Sequence, residues 1–167
     1  MTIQSARLRI STPTEPTAPG RGFYQLEEDA LYVQIGALTP QHRFFSYLDS
    51  EFVSLQFDHN ALLIFIEVTL PRRRWEVDDK LIMPSVADPA DIRWLEFRET
   101  IREPRLTTNK TQTRLRLQFT PNSPSRSFYI ADHVILQANN NDHRAAIWID
   151  DIEDDLAGQE ITAFRKQ

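Results

Sequence analysis

The chain has 167 residues, a formal net charge of −5 and no cysteine. A chain of this length buries enough surface to hold a core without disulfide or metal staples. The missing cysteines exclude disulfides, thiolate metal sites and cysteine nucleophiles, and the acidic balance argues against a broad basic face for nucleic acid.

In chain order, Met1 to Arg7 lacks the apolar core of a signal peptide. The longest apolar run, Ala61 to Ile66, is far shorter than the ~20 residues of a membrane span. These features, with the cysteine-free composition, lead us to expect a soluble cytoplasmic protein and no membrane partner. Ser11 to Gly22 contains three prolines and two glycines, which predicts a long flexible connection.

Period-two alternation then dominates. Leu31, Val33 and Ile35 alternate with Tyr32 and Gln34, as do Val53, Leu55 and Phe57 with Ser54 and Gln56. Leu115, Leu117 and Phe119 do the same with Arg116 and Gln118. This period predicts strands with one buried face. Ala61 to Ile66 is continuous and β-rich, so it reads as a strand covered on both faces. Asp58-His59-Asn60 between two such runs reads as a hairpin turn. Strands 61–68 and 145–149 are expected at the centre of the fold. Trp148 lies within an apolar strand and reads as core, whereas Trp75 and Trp94 are left unassigned.

The strand patterns repeat. Residues 6–10 resemble 90–94 and residues 31–35 resemble 115–119, each 84 positions later. Residues 53–56 match 134–137 at 81, and 64–67 match 147–150 at 83. The order is preserved, which predicts an internal duplication. We expect a mainly β fold in which repeat one (1–84) and repeat two (85–167) pack as one sandwich-like or barrel-like body. The proline-interrupted stretch Met83 to Pro89 would separate them.

One segment there reads two ways. Asp88-Pro89-x-Asp91 has the composition of a helix start, and Trp94, Phe97 and Ile101 would share a helical face. A short helix near 88–101 therefore competes with a strand equivalent to 6–11, and the repeat favours the strand. Further on, Pro121 to Ser125 reads as a loop and Phe164 to Gln167 as a frayed tail.

Residues 24–68 also carry a resemblance. Tyr24, Asp29, Leu31 and Tyr32, followed by the strand ending at Asp58 and by Ile66-Glu67, make a pattern. It is similar to small bacterial domains of unknown function that open Tyr-x4-Asp-x-Leu-Tyr-Ile and continue into an Asp-rich turn and an Ile-Glu-Ile strand. The second half keeps the strand pattern without the opening signature. The resemblance implies a small β-rich bacterial module and no catalytic residue.

Candidate site residues are few. Asp58-His59 and Asp142-His143 are 84 apart, so they form a candidate pair of binding sites, one per repeat, against a reading as plain turn residues. His42 and His133 lack a histidine at metal-ligand spacing, and neither a metal nor a cofactor is expected. Arg72-Arg73-Arg74 beside Trp75 is a basic cluster, and Asp150, Asp151, Asp154 and Asp155 form an acidic run that lacks EF-hand spacing. Their opposite charges at comparable places suggest patches that attract one another, within the chain or between copies. No Gly-x-Ser-x-Gly elbow, phosphate loop or dinucleotide fingerprint is present.

The expected function is a non-enzymatic interaction module that binds another protein or a second copy of itself. The alternative is a small-ligand-binding or hydrolytic β domain. Its pocket would lie between the repeats, with Asp58, His59, Asp142 and His143 near the rim.

Overall fold

The computed structural model describes residues 7–36, 43–96, 98–120, 124 and 126–155. His42, Phe97, the tail 164–167 and most of the 121–125 loop lie outside them. The chain begins with β1 (Leu8–Ser11). It continues through β2 (Gly20–Gln25), β3 (Ala30–Ile35), β4 (Ser46–Asp49), β5 (Val53–Phe57) and β6 (Leu63–Val68). A 3-10 turn (Arg72–Arg74) leads to β7 (Glu76–Val77), β8 (Asp88–Pro89), β9 (Asp91–Trp94) and β10 (Glu99–Thr100). The second half supplies β11 (Arg105–Thr108), β12 (Leu115–Gln118), β13 (Arg126–Ala131), β14 (Val134–Ala138), β15 (Arg144–Ile149) and β16 (Glu153–Asp155).

Two mixed seven-stranded sheets pack together and neither closes, so the body is a sandwich. The first runs β10-β4-β5-β6-β3-β2-β16 and the second β7-β11-β12-β15-β14-β13-β8. Central β6 and β15 are the two strands that the sequence places there. The five inner strands of each sheet have one topology, with β2 to β6 corresponding to β11 to β15.

The ladders match rung for rung. Val53–Val68, Leu55–Ile66 and Phe57–Leu63 correspond to Val134–Ile149, Leu136–Ile147 and Ala138–Arg144, each 81 residues on, with the bulge at the same rung. Arg21–Gln34 and Leu31–Val68 correspond to Arg105–Gln118 and Leu115–Ile149, which fixes 84 for β2 and β3. This register corrects one sequence match. Residues 64–67 correspond to 145–148, not 147–150; a shift of two preserves the face and so escapes pattern matching.

The edge strands are exchanged. β7 leaves the first half and pairs in parallel with β11, with Glu76 beside Thr107. β16 leaves the second half and pairs in parallel with β2, with Glu153 beside Phe23. Phe23 and Thr107 are equivalent, so both exchanges share one register. Two-residue strands β10 and β8 likewise cap β4 and β13 at equivalent rungs. Edges this short present little unpaired backbone.

Residues 88–89, 91–94 and 99–100 are strand rather than helix, because β13, β1 and β4 supply their hydrogen-bond partners. Asp91 and Arg93 show the consequence. Two apart on a strand they share a face, and the guanidinium donates twice to the carboxylate, at 2.8 and 3.1 Å. Among the described residues the only helical element is the turn at Arg72–Arg74. The connection after Ser11 also ends earlier than its composition suggests. Gly20 opens β2, and a Cβ there would lie 2.1 Å from the Asp132 carbonyl oxygen, so only glycine admits that approach.

The inner faces form one core, including Leu31, Leu55, Ile66, Leu117, Leu136 and Ile147, with Trp75 and Trp94 inside it. Outer faces are covered too. Leu81, with Met83 and Ala87, packs on Ile135, Ala146 and Trp148, which explains why β14 and β15 are buried on both sides. The Trp148 indole donates to Gln137 at 2.6 Å, which satisfies its one polar atom. On the first sheet Phe23, Tyr32 and Phe65 form a ladder with successive ring centroids 5.9 Å apart. Among the described residues no helix is long and apolar enough to cross a membrane.

Candidate functional site

The turn between β5 and β6 is held by its own side chain. Asp58 is buried, and its Oδ1 accepts from the amides of Asn60 at 2.8 Å and Leu62 at 3.0 Å. Asn139 does the same at the β14–β15 turn, accepting from Asn141 at 2.9 Å and His143 at 3.1 Å. Ala61 and Asp142 then take the same left-handed conformation, with φ of 62° and 58°. The partner of Asp58 is thus Asn139, and Asp142 corresponds to Ala61. The two Asp-His pairs are not equivalent, because the hairpins align at 81 and the pairs are spaced by 84.

Around the first tip lies a cavity of about 210 Å³, lined by residues that include Phe45, Asp58, His59, Trp94, Leu95 and Glu96. The His59 ring lies 4.4 Å from the ring of Phe45, centroid to centroid. Phe57 and Trp94 pack 5.0 Å apart behind it. Asp142 and His143 do not line that cavity. Asp142 instead forms an ion pair with Arg126, and His143 is bridged through its backbone to Arg7.

Glu96 links the cavity to a buried ion pair. Arg144 Nη1 donates to Glu96 Oε2 at 3.3 Å, and the two side chains are only 3% and 8% exposed. The guanidinium lies between the rings of Phe119, at 5.2 Å, and Trp94, at 5.9 Å. Burial holds it below the ordinary arginine value, while Glu96 pulls the other way. Among the described residues Glu96 Oε1 and Arg144 Nε have no hydrogen-bond partner.

The duplication gives this pair a reference. Leu63 occupies the rung equivalent to Arg144. The Leu8 amide donates to the Asp142 carbonyl and the Trp94 amide to the Ala61 carbonyl, which makes Leu8 and Trp94 equivalent. Two residues further on, Glu96 corresponds to Ile10, so residues 8–10 correspond to 94–96 and not to 92–94 as the sequence match at 84 has it. Where one half has leucine and isoleucine, the other has a buried arginine and glutamate. An apolar pair satisfies the fold at that place, and a buried ion pair seldom stabilises more than one.

The charged candidates find partners inside the chain, and one such contact, Arg72 with Asp154, joins the basic cluster to the acidic run. Arg72 reaches Asp154 at 2.7 Å and lies over the Tyr24 ring at 4.5 Å. Arg73 pairs with Asp29 at 2.9 Å, and Arg74 lies over Phe52 at 5.8 Å. Asp150 accepts from Arg114 at 3.1 Å, Asp151 is 3.9 Å from His133, and Asp155 is buried. Tyr24 ties this cluster together. Its hydroxyl donates to Asp29 at 3.0 Å and accepts the Arg72 amide at 3.0 Å, and Trp75 packs edge-on against its ring. Arg73, then Tyr24, hold the Asp29 carboxyl below the usual carboxylate range, and burial raises the Tyr24 phenol. Tyr24 and Asp29 of the Tyr-x4-Asp signature therefore brace the hairpin against the arginine turn.

Among the described residues no group of three or more His, Asp or Glu is arranged to hold a metal. Sequence reasoning missed Phe45, Glu96 and Arg144. Their signal lies in a broken pattern, because Ile92 and Trp94 alternate and a charge follows at the next inward place. Comparison with known proteins adds no relative: no protein-family model and no curated protein matches the chain.

Proposed function

We propose that the protein is a non-enzymatic interaction module that binds another polypeptide through the surface around β4 and the end of β9. One observation carries this reading. Phe44, Phe45, Tyr47 and Leu95 are 54%, 38%, 37% and 46% exposed, and Phe45 and Leu95 form the rim of the Glu96 cavity. The Phe44 and Tyr47 rings stack 6.4 Å apart and 6° from parallel. Apolar rings around a small recess have the composition of a binding hot spot. The β-rich bacterial resemblance and the cysteine-free, acidic sequence support a cytoplasmic setting.

Native mass spectrometry of the full chain, with and without Phe44→Ser/Tyr47→Ser, tests the self-association form of this reading. Ligand-free assembly that reverts to single copies in the double variant supports it. Single copies at every concentration remove a second copy as the partner, and a stoichiometric bound metabolite overturns the interaction reading.

A second reading, a small-ligand-binding or hydrolytic domain, is favoured by a separate open cleft of about 470 Å³. It is lined by Arg21, Gln34, His133, Asp151 and Glu153 among others, and so carries one histidine and two carboxylates. A bound metabolite would direct substitution there first.

A further inference from the structure

We infer that the cavity at the tip of the first hairpin is a socket for one basic side chain, lysine or arginine, of a partner polypeptide. This deepens the interaction reading and rests on it. The volume of about 210 Å³ is room for about seven waters at ~30 Å³ each. That exceeds a packing void and falls short of the ~300 Å³ at which small-molecule pockets begin, so it suits one side chain.

The lining decides the charge. It includes the acidic residues Asp58 and Glu96 and contains no lysine or arginine. Arg144 offsets Glu96 through Oε2 only, and the other oxygen, itself buried, has no hydrogen-bond partner among the described residues. The walls include the rings of Phe45, Phe57 and Trp94, and the Arg98 guanidinium already lies 5.1 Å from the centroid of the Phe45 ring. Carboxylates and aromatic rings brought together are the requirements of an alkylammonium or guanidinium. Exposed Phe44, Tyr47 and Leu95 would then cover the backbone that delivers it.

The second half lacks the socket. Phe57, Trp94 and Glu96 are replaced there by Ala138, Leu8 and Ile10, and Ser46 by Arg126. A feature that the fold merely tolerates would be expected twice; this one is built once, at the cost of burying Arg144.

The test is NMR of the full-length chain, reading the Trp94 indole and His59 ring signals. The probes are Nα-acetyl-lysine methylamide, Nα-acetyl-arginine methylamide and the neutral Nα-acetyl-norleucine methylamide. We expect saturable shifts with a cationic amide and binding about tenfold weaker for norleucine. Glu96→Gln should abolish that preference, and Phe45→Ala, at an exposed residue, should weaken binding in a chain whose folding is read from the same spectrum. Equal binding of norleucine, no saturable shift with either cationic amide, or unchanged binding in Phe45→Ala overturns the socket. Tighter binding of free 1,4-diaminobutane than of both amides overturns the polypeptide as its source. Each of these failures leaves the mass experiment free to support self-association through Phe44 and Tyr47, so the two readings fail separately.

Discussion

Leu8 stands directly opposite Trp94 where β1 pairs antiparallel with β9, and each donates its amide to a carbonyl at the tip of the other half's hairpin, Asp142 for Leu8 and Ala61 for Trp94. The pseudo-two-fold axis relating the halves therefore passes between these two residues. Both are buried, at 2% and 3% exposure. Trp94→Ala should cost about 3–5 kcal/mol and Leu8→Ala about 2–5 kcal/mol in urea unfolding. Trp94→Ala should also disturb the Glu96 cavity, because the indole forms one of its walls. Losses below about 1 kcal/mol for both would show that the crossing is peripheral to the core.

The Arg144–Glu96 pair can be tested against its apolar counterparts. Arg144→Leu alone leaves a buried carboxylate unpaired, and Glu96→Ile alone leaves a buried guanidinium; each should cost about 3–5 kcal/mol. The double variant restores the Leu63 and Ile10 chemistry of the other half. It should return to within about 1 kcal/mol of the parent or exceed it. A double-mutant cycle in urea reads the coupling directly. Additive losses would mean that the pair supports the fold rather than a site.

The strands and the duplication were legible because both rest on period two and on order. Leu55 and Leu117 alternate with polar neighbours and face the core as expected. Register was less legible, since Ile64 can be matched to Ala145 or to Ile147 without changing face, and only hydrogen bonds choose. The edge exchange of β7 and β16 was invisible, because two or three residues carry no period. Glu96 was missed because its chemistry depends on Arg144, 48 residues away, and on rings from three other strands or loops.

Asp29 gives the acid limb of stability a local cause. Arg73 and Tyr24 hold its folded carboxyl below the unfolded value of about 3.9. A carboxyl depressed on folding contributes stability that is present above the unfolded value. That contribution is lost as the pH falls through the lower folded value. Asp29→Asn should therefore reduce stability near neutrality and flatten its loss between about pH 5 and about pH 2, measured as urea midpoints. Parallel profiles for parent and variant would remove Asp29 from the acid response.

Two equivalent ion pairs pin the exchanged edges: Arg105 to Glu76 at 2.6 Å on β7, and Arg21 to Glu153 at 3.5 Å on β16. Both are exposed, so each acts on local opening rather than on global stability. The Asp78 amide, which donates to the Thr108 carbonyl at 2.8 Å, reports β7 directly. Arg105→Gln should speed hydrogen exchange there by about two- to fivefold and leave β12 and β15 amides unchanged. Arg21→Gln should do the same for β16, by less, because its pair is longer. Uniform acceleration across both sheets would mean that the exchanged edges belong to the global folding unit and do not open separately.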